Sequence, residues 1–420
     1  MSGDHGPESV AEHQKIVLWC EARRQGARDL NIWGLKLLYQ LRSGIIIVIF
    51  VFLLYPAGSA RSLQIPATFP APAQYVCPPA GSAPVIDGRL DDEAWAAAPW
   101  TEPFGDIEGP VRREPRFRTR AKMVWTAEDL CIAAELKEPH VWAKLTQRDA
   151  VIYHDNDFEV FIDPDGDNHL YYELEINALG TEWDLMLVRP YRDGAPAVNA
   201  WDIAGLRTAV HVDGTLNDPA DTDTGWTVEI AIPWAVLGEA AGRPAPPRPG
   251  DVWRLNFSRV QWRTEVVDGA YAKITDAETG RPLPEDNWVW SPQGAVAMHM
   301  PEMWGEVLFG DGTDAITFAN SDEHAAIVTA RLVMPVYYLQ REFAAERGRF
   351  AASLTELGVA TGRLPAWPRQ DGAVHTTPLP PGWRLEMDAS DARFAARLVT
   401  PTVTATVDET GRLLRSEGTR

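Results

Sequence analysis

This sequence is short of positive charge, of cysteine and of long apolar runs, and each shortage excludes a class of protein. Its 420 residues include 39 Lys and Arg against 59 Asp and Glu, which gives a formal net charge of -20. Nucleic acids and anionic membrane surfaces would repel such a chain, so neither is an expected partner. The sequence also lacks an HExxH pair, a phosphate-binding glycine loop and a G-x-S-x-G motif, which are signatures of metalloproteases, nucleotide hydrolases and serine esterases.

The apolar run at residues 45–55 is much shorter than the ~20 residues that a membrane-spanning helix needs. Small residues that suit signal peptidase follow it and end at Ala60. We therefore predict that residues 1–60 are a leader with a secretory signal, cleaved near Ala60. An uncleaved membrane anchor is the alternative. The expected location is periplasmic, cell-surface or extracellular, with membrane contact only if the segment stays uncleaved.

The three cysteines do not define a disulfide framework. Cleavage of the leader would remove Cys20 and leave Cys77 and Cys131. Export makes a disulfide possible, but two cysteines this far apart in sequence do not establish one. Residues 61–83, rich in Pro, Ala and Ser, are predicted to form a linker.

Residues 84–311 consist of short segments that alternate between apolar and polar positions, separated by Gly, Pro and Asp. Many short strands at regular spacing predict a mainly β protein with an antiparallel β-sandwich. In residues 252–262 the apolar positions are predicted to face the core. Arg254, Asn256 and Ser258 then belong to the outward phase.

A different pattern begins after the sandwich and predicts a small α+β domain over residues 318–420. Residues 322–347 show a helical period that Pro335 should interrupt or restart. Ser353 and Glu356 have the spacing of a capping box and predict a short helix. Alternating segments near the end of the chain predict a small sheet.

The segment 153–177 predicts a β-hairpin with one apolar and one acidic face. The apolar phase, predicted to build the core, contains Phe158, Val160, Ile162, Leu170, Tyr172, Leu174 and Ile176. The opposite phase contains Asp155, Asp157, Glu159, Glu173 and Glu175. Asp157 and Glu159 could lie about 5 Å apart, as the carboxyl groups of retaining glycosidases do. However, the acids form a diffuse group with no single one isolated in an apolar niche. A glycoside hydrolase using Asp157 and Glu159 is therefore an alternative, and we predict no enzymatic activity.

The turn of this hairpin carries Asp163, Asp165 and Asp167. Alternating carboxylates suit a hard, oxygen-liganded cation such as calcium. The turn lacks the sixth-position glycine and distal Glu of an EF-hand loop. Calcium bound by these three residues is one interpretation, and an ordinary polar β-turn is the other.

Five segments in order resemble a family-nine carbohydrate-binding module of the type found in exported bacterial proteins. They are PVIDGRLDDEAW, HDNDFEVFIDPDGD, GWTVEIAIPW, NFSRVQW and the closing NWVWSP…HMPEMWGEVLF run. The resemblance covers about residues 84–310. It implies a β-sandwich that binds free mono- and disaccharides or the ends of sugar chains, by an aromatic clamp and hydrogen-bonding side chains. Structural calcium often accompanies such a fold.

The resemblance also implies a set of ligand-binding residues. Tyr153, six positions before Glu159, matches one clamp aromatic, which is commonly Trp in relatives. Trp290, with Asn287 three positions before it, matches the second clamp position. Glu159 would accept hydrogen bonds from sugar hydroxyls. Trp290 could equally be a core residue, and Glu159 an exposed acid without a partner.

One position departs from the family pattern. An arginine is expected on the strand that reads YYELEIN, and the matching position holds Glu175. Arg254 and Arg259 are candidates for the missing hydrogen-bond donor, although neither aligns with the motif. The departure puts the usual ligand preference in doubt.

Together these observations predict non-catalytic carbohydrate binding by an exported protein, in polysaccharide recognition or carbohydrate catabolism. The expected partner is a mono- or oligosaccharide, or the end of a polysaccharide chain. Besides the hydrolase, a structural envelope protein whose sandwich has no ligand remains an alternative.

Overall fold

The alternating segments fold into β-strands throughout residues 69–367 and 373–417, which are the residues that the computed structural model describes. The strands are β1 Gln74–Cys77, β2 Gly105–Asp106, β3 Thr119–Trp125, β4 Asp129–Lys137, β5 Asp157–Asp163, β6 Tyr171–Asn177, β7 Glu182–Leu187, β8 Ala197–Val198, β9 Arg207–Asp213, β10 Gly225–Pro233, β11 Val252–Gln261, β12 Thr264–Val267, β13 Ala270–Lys273, β14 Asp286–Val289, β15 Gly305–Phe309, β16 Arg363–Pro365, β17 Thr376–Pro378, β18 Arg384–Ala389, β19 Phe394–Val399, β20 Val403–Asp408 and β21 Leu413–Glu417. The α-helices are α1 Glu93–Ala97, α2 Trp234–Leu237, α3 Asp322–Arg331 and α4 Met334–Arg347.

Two sheets build the predicted β-sandwich. The large sheet has the order β1-β15-β11-β5-β6-β7-β8, and β14 pairs with both β11 and β2. The small sheet has the order β3-β4-β10-β9. The strand pairs are antiparallel except for β1 and β15, which are parallel. The mainly β architecture predicted from the alternating pattern is confirmed.

The core between the sheets is made of the apolar phase of each strand. From β5, β6 and β11 it receives Phe158, Val160, Ile162, Tyr172, Leu174, Ile176, Trp253, Leu255 and Phe257. Strand β10 of the small sheet contributes Trp226, Val228, Ile230 and Ile232. Burying each such side chain contributes about 1.5–3 kcal/mol, which fixes which face of every strand turns inward. The predicted inward phases of β5, β6, β10 and β11 are confirmed.

The segment predicted as a linker takes part in the sandwich. Residues 74–77 form β1, which pairs with β15. Tyr75 and Cys77 point into the core. Strand β1 has only four residues and lies in a Pro- and Ala-rich segment, so no alternating pattern indicated it in the sequence. The linker prediction is therefore corrected for this part of residues 61–83.

The C-terminal part contains the predicted helix break and the predicted sheet. Helix α3 ends at Arg331 and α4 begins at Met334, with Pro335 in its first turn, where proline needs no backbone donor. Strands β18 to β21 form an antiparallel meander. The predicted helix at Ser353 is instead a turn, because the Ser353 hydroxyl caps only the Glu356 N–H (3.2 Å) and no helix continues.

The C-terminal part packs directly onto the sandwich. Its apolar cluster includes Ala295, Met300 and Met303 from the segment before β15. The described residues all belong to one compact unit of the chain, residues 63–420.

The remaining structural expectations concern cysteines and membrane spans. Cys77 and Cys131 are both buried free thiols, and burial raises the pKa of Cys131 to about 12. No helix within 69–367 or 373–417 is long and apolar enough to cross a membrane. The predicted leader, residues 1–60, lies outside the described residues.

Candidate functional site

The acidic phase of β5 and β6 lies on the face of the large sheet that points away from the core. Side chains alternate along a strand, so the burial of Phe158 and Val160 in the core turns Asp157 and Glu159 to the other side. In the antiparallel register, Glu159 stands directly opposite Glu175. One oxygen from each of Asp157, Glu159 and Glu175 lies within 4.8 Å of the others. We call this side of the large sheet the cleft face.

These carboxyl groups are buried rather than solvated. The exposed fractions of Asp157, Glu159, Glu173 and Glu175 are 0%, 5%, 5% and 2%. Burial raises the pKa of Glu159 to about 7. The pKa values of the other three are raised by burial first and by repulsion from neighbouring carboxylates second. A solvated acidic surface would not have this property, because water stabilises the charged form.

Tyr153 lies at the rim of the same face. A 3-10 turn, Ile152–His154, leads into β5 and directs the Tyr153 N–H to the Glu175 carboxylate at 2.9 Å. Its side chain is 37% exposed. The structure therefore brings Tyr153, Glu159 and Glu175 together, as the family pattern implied for the first two.

Two further aromatic residues border this region, and sequence reasoning had not selected them. Trp183 is half-buried and stands directly opposite Glu175 on β7. Trp262 donates its indole N–H to the Tyr153 carbonyl at 2.8 Å, and the Lys273 ammonium lies 3.2 Å from its ring centre. The alternation of residues 182–188 was a signal for Trp183. The position of Trp262 depends on contacts between distant segments.

Asn287 shares the cleft face but stands apart from Glu159. It pairs with Val260 on β11, and the Val260 N–H donates to Asp157 at 3.2 Å. Strand β11 thus separates Asn287 on β14 from the acids on β5.

Trp290 belongs to the core and not to the ligand clamp. Its exposed fraction is 4%, and its ring packs against Phe257 at 5.7 Å and edge-on against Tyr75 at 6.4 Å. The reason is strand phase: Trp288, two positions earlier, pairs with Arg259 and also faces the space between the sheets. The clamp prediction for Trp290 is corrected accordingly.

The family pattern expects an arginine, a hydrogen-bond donor, at the position of Glu175. Neither Arg254 nor Arg259 takes its place. Arg254 lies at the other end of the strand pair, where it donates to Asn168 at 2.8 Å. Arg259 points into the space between the sheets and forms a buried ion pair with Glu138 at 2.8 Å. Both predicted ligand contacts are therefore corrected, since each guanidinium serves the fold elsewhere.

The acidic turn does gather its three carboxyl groups, with oxygens of Asp163, Asp165 and Asp167 within 4.8 Å of one another. Both Asp163 oxygens accept backbone N–H groups at 3.0 Å, and Asp167 accepts a hydrogen bond from Arg412 at 2.8 Å. Burial, with repulsion from Asp167, raises the pKa of Asp165 to about 6. The donor set suits a hard cation, but a guanidinium already neutralises one of its members. Calcium at this turn stays a prediction.

The cleft face does not have the organisation of a hydrolase site. General acid and base roles require two carboxyl groups whose environments push their pKa values apart. Here burial moves the pKa values of Asp157 and Glu159 in the same direction. Asp157 is also fully buried, so it does not face a bound substrate.

A cavity of about 960 Å³ lies elsewhere, between the acidic turn, α3 and the last strands. Its lining includes charged residues of both signs and no aromatic side chain. It therefore offers no ring on which a sugar could stack.

An aromatic rim beside buried hydrogen-bonding groups on a β-sandwich is the organisation of a carbohydrate-binding module. Residues 86–307 match the family model described as carbohydrate family 9 binding domain-like, and this match covers more than half of the chain. The chain belongs to that family, and its sandwich is a non-catalytic carbohydrate-binding domain.

Three solved structures are similar to the sandwich. One is a family 9 carbohydrate-binding module from Caldicellulosiruptor kristjanssonii in complex with cellotriose, with 16% identity over 58% of this chain and 97% of that one, and a TM-score of 0.37. The same organism's module in complex with glucose shows 15% identity over 59% and 100%, with a TM-score of 0.37. A putative carbohydrate-binding protein from Bacteroides uniformis ATCC 8492 shows 14% identity over 57% and 100%, with a TM-score of 0.42. No curated protein sequence matches the chain.

Proposed function

We propose that this protein binds a small saccharide, or the end of a sugar chain, at the Tyr153 edge of the cleft face. The observation that carries the proposal is that Tyr153, whose aromatic side chain is partly exposed, donates its backbone N–H to the buried carboxyl group of Glu175, which stands opposite Glu159. Sugars need both elements, because their C–H faces stack on rings while their hydroxyls require hydrogen-bond partners.

The burial of the acids favours a terminal sugar over the middle of a chain. A chain running along the sheet would need a groove with its acids open to solvent, whereas Glu159 and Glu175 are at most 5% exposed. Only a group that projects inward past Tyr153 could reach them. Trp183, opposite Glu175, would form the second side of such an entrance.

Because the pKa of Glu159 is raised to about 7, this residue can donate hydrogen bonds as well as accept them. A carboxylate only accepts hydrogen bonds, whereas a protonated carboxyl also donates one. Near neutral pH Glu159 would be present in both forms and could serve a hydroxyl group in either role.

Export and a role in polysaccharide recognition or carbohydrate catabolism complete the proposal. Their support is the secretory-type leader that the sequence predicts within residues 1–60.

Isothermal titration calorimetry of the full chain against a panel of mono- and oligosaccharides, including glucose and cellotriose, tests the function. We expect Tyr153→Ala to weaken binding at least tenfold, about 1.4 kcal/mol, and Tyr153→Phe to retain most of it. Trp100→Ala is the matched control, because Trp100 stacks on Arg120 at 3.9 Å, and Arg120 belongs to the small sheet. Absence of heat with every sugar, for a protein shown to be folded by near-UV circular dichroism, would favour a structural envelope protein instead.

A further inference from the structure

The last strand of the C-terminal meander has a free edge. The meander has the order β18-β19-β20-β21, so β21 pairs with β20 on one side only. The Leu413 N–H points away from β20 and donates to the Asp167 carbonyl of the acidic turn at 2.9 Å. Backbone groups of an antiparallel strand point to the same side at every second residue. Arg415 and Glu417 therefore also direct their N–H and C=O groups away from β20.

The outward backbone groups beyond Leu413 are left open. Within residues 69–367 and 373–417, no hydrogen bond reaches the outward N–H or C=O of Arg415. The Arg415 side chain, in contrast, donates to the Asp165 carbonyl at 2.9 Å. A row of unpaired backbone groups at a sheet edge is a template on which another strand can form.

The two edges of the meander differ in charge. Strand β18 exposes Arg384, Glu386 and Asp388 at alternate positions, and charged side chains on an edge oppose the addition of a strand. In the same rows of the sheet as Arg384 and Glu386, β21 carries the uncharged Ser416 and Leu414. The edge at β21 therefore lacks the protection that the edge at β18 has.

The free edge of β21 lines the cavity of about 960 Å³ described above, which we call the β21 groove. Helix α3 contributes Ala325, Ala326 and Thr329 to the same lining, and these small side chains leave space beside the strand. Sites for small ligands have volumes of about 300–1,000 Å³, so the groove has room for several residues of extended chain.

The charge of the β21 groove favours a basic occupant. Its lining contains five acidic residues and three arginines. Each arginine is already engaged: Arg243 by Glu323 at 2.8 Å, Arg412 by Asp167 at 2.8 Å, and Arg415 by the Asp165 carbonyl. Asp322 and Glu417 are exposed, and neither forms an ion pair within the part of the chain that the structure describes. A Lys or Arg side chain of the occupant would supply the missing counter-charge.

We propose that the β21 groove binds an extended, basic peptide segment of another protein, which joins the meander as a fifth strand. Backbone hydrogen bonds to Arg415 and Glu417 supply affinity, and basic side chains near Asp322 and Glu417 supply selectivity. The bound segment continues the edge pairing that the Asp167 carbonyl begins at Leu413. This surface lies outside the cleft face, so it adds a protein partner to a carbohydrate-binding chain.

A library of random linear peptides of about seven residues, displayed on phage and selected against the full chain, tests the chemistry of the partner. We expect enrichment of sequences that combine Lys or Arg with β-branched residues and lack Pro. One enriched peptide, labelled with fluorescein, is then titrated with the full chain by fluorescence anisotropy. Amide hydrogen exchange in residues 413–417 should slow when this peptide is bound. Residues 384–389 of the opposite edge should exchange at the same rate with and without the peptide.

Two variants locate the bound peptide. Ala326→Trp fills the β21 groove, and we expect at least about tenfold weaker binding because a packed space does not accept extra volume. Val328→Trp is the matched control on the same helix, since Val328 is 42% exposed and lies outside the lining.

The second variant, Glu417→Lys, changes the charge of an exposed residue and leaves the space open. We expect it to weaken peptide binding about threefold at about 20 mM salt, and less at about 500 mM, where charges are screened.

Three outcomes would overturn the proposal. The first is a selection that enriches no common sequence pattern, or enriches acidic peptides. The second is an enriched peptide that binds Ala326→Trp and Glu417→Lys as tightly as the wild type. The third is self-association of the chain that Ala326→Trp abolishes and that basic peptides do not displace, which would make a second copy the occupant. Saccharide titration of Ala326→Trp should match the wild type, so failure of either proposal leaves the other standing.

Discussion

Glu175 determines the chemistry of the cleft face more than any other single residue. The family pattern leads one to expect an arginine there, and the structure instead places a carboxyl group opposite Glu159 and beneath the Tyr153 N–H. Replacing a positive by a negative charge turns a region of ion pairing into one of mutual repulsion. The pKa of Glu175 is raised by burial and then by Glu159 and Asp157.

The pH dependence of stability should report the burial of Glu159 on this face. Glu159 has an ordinary pKa of 4.5 and a folded-state pKa of about 7, so the folded protein binds its proton more tightly than the unfolded chain does. The resulting stability is fully present below pH 4.5 and is lost as the pH rises through 7. We expect the free energy of unfolding in chelator to fall by up to about 3 kcal/mol across this range.

Urea denaturation at pH 5, 6, 7 and 8 measures the effect. Glu175→Gln should flatten the curve, because it removes a buried carboxyl group whose own pKa is raised in the folded protein. Glu265→Gln, an exposed acid on β12, is the matched control and should follow the wild type. A wild-type curve that rises between pH 5 and 8 would contradict the burial of the acids.

At the scale of single elements, the alternation of side chains along a strand decides on which face of the sheet most aromatic residues lie. Trp288 and Trp290 follow the phase of Arg259 and enter the core, whereas Trp183 follows the phase of Glu175 and lies on the cleft face. Both assignments depend on register, since a shift of one residue would exchange the two faces of a strand.

The packing of β15 against Trp290 gives a direct test of this placement. A Cβ atom added to Gly305 would lie 2.4 Å from the Trp290 ring, which a packed core cannot accommodate without displacement. We expect Gly305→Ala to lower the free energy of unfolding by about 1–3 kcal/mol, as overpacked cores do. Gly81→Ala is the control, because no atom lies within 4 Å of its added Cβ. Equal stability of the two variants in urea denaturation would place Trp290 outside the core.

At the scale of the whole molecule, buried polar contacts join the sandwich to the C-terminal part. Arg192 forms a buried ion pair with Glu302 at 2.9 Å, and Glu302 also accepts a hydrogen bond from Tyr338 of α4. The Leu413 N–H donates to the Asp167 carbonyl at 2.9 Å, and Asn168 donates to the Gly411 carbonyl at the same distance.

Removing Arg192 should therefore weaken both parts together. Arg192→Met leaves Glu302 buried without its counter-ion, and breaking a buried pair in this way costs about 3–5 kcal/mol. We expect scanning calorimetry to show one unfolding transition, displaced as a whole to lower temperature. Arg384→Met removes an exposed pair with Glu386 and should change stability by less than about 1 kcal/mol. A separate low-temperature transition, with the main one unmoved, would show that the C-terminal part unfolds independently.

The sequence alone predicts the features that depend on local pattern. The period of two assigned Phe158, Val160 and Ile162 to the core, and the restriction that proline places on a helix located the break near Pro335. Strand β1 was not predicted, because an alternating pattern of four residues among prolines is too short to indicate a strand. The predicted helix at Ser353 was wrong, because a capping hydrogen bond can also form on a turn that no helix extends.

By itself the sequence determined the strands, their faces, the β-sandwich and the acidic hairpin that carries the candidate site. Each of these follows from side-chain period and composition, which are properties of neighbouring residues. Only the tertiary structure decided that the acidic face is buried, that Trp183 rather than Trp290 stands beside Glu175, and that Arg254 and Arg259 are engaged elsewhere. Those outcomes depend on which distant segments cover a face, and alternation along one strand carries no information about what packs above it.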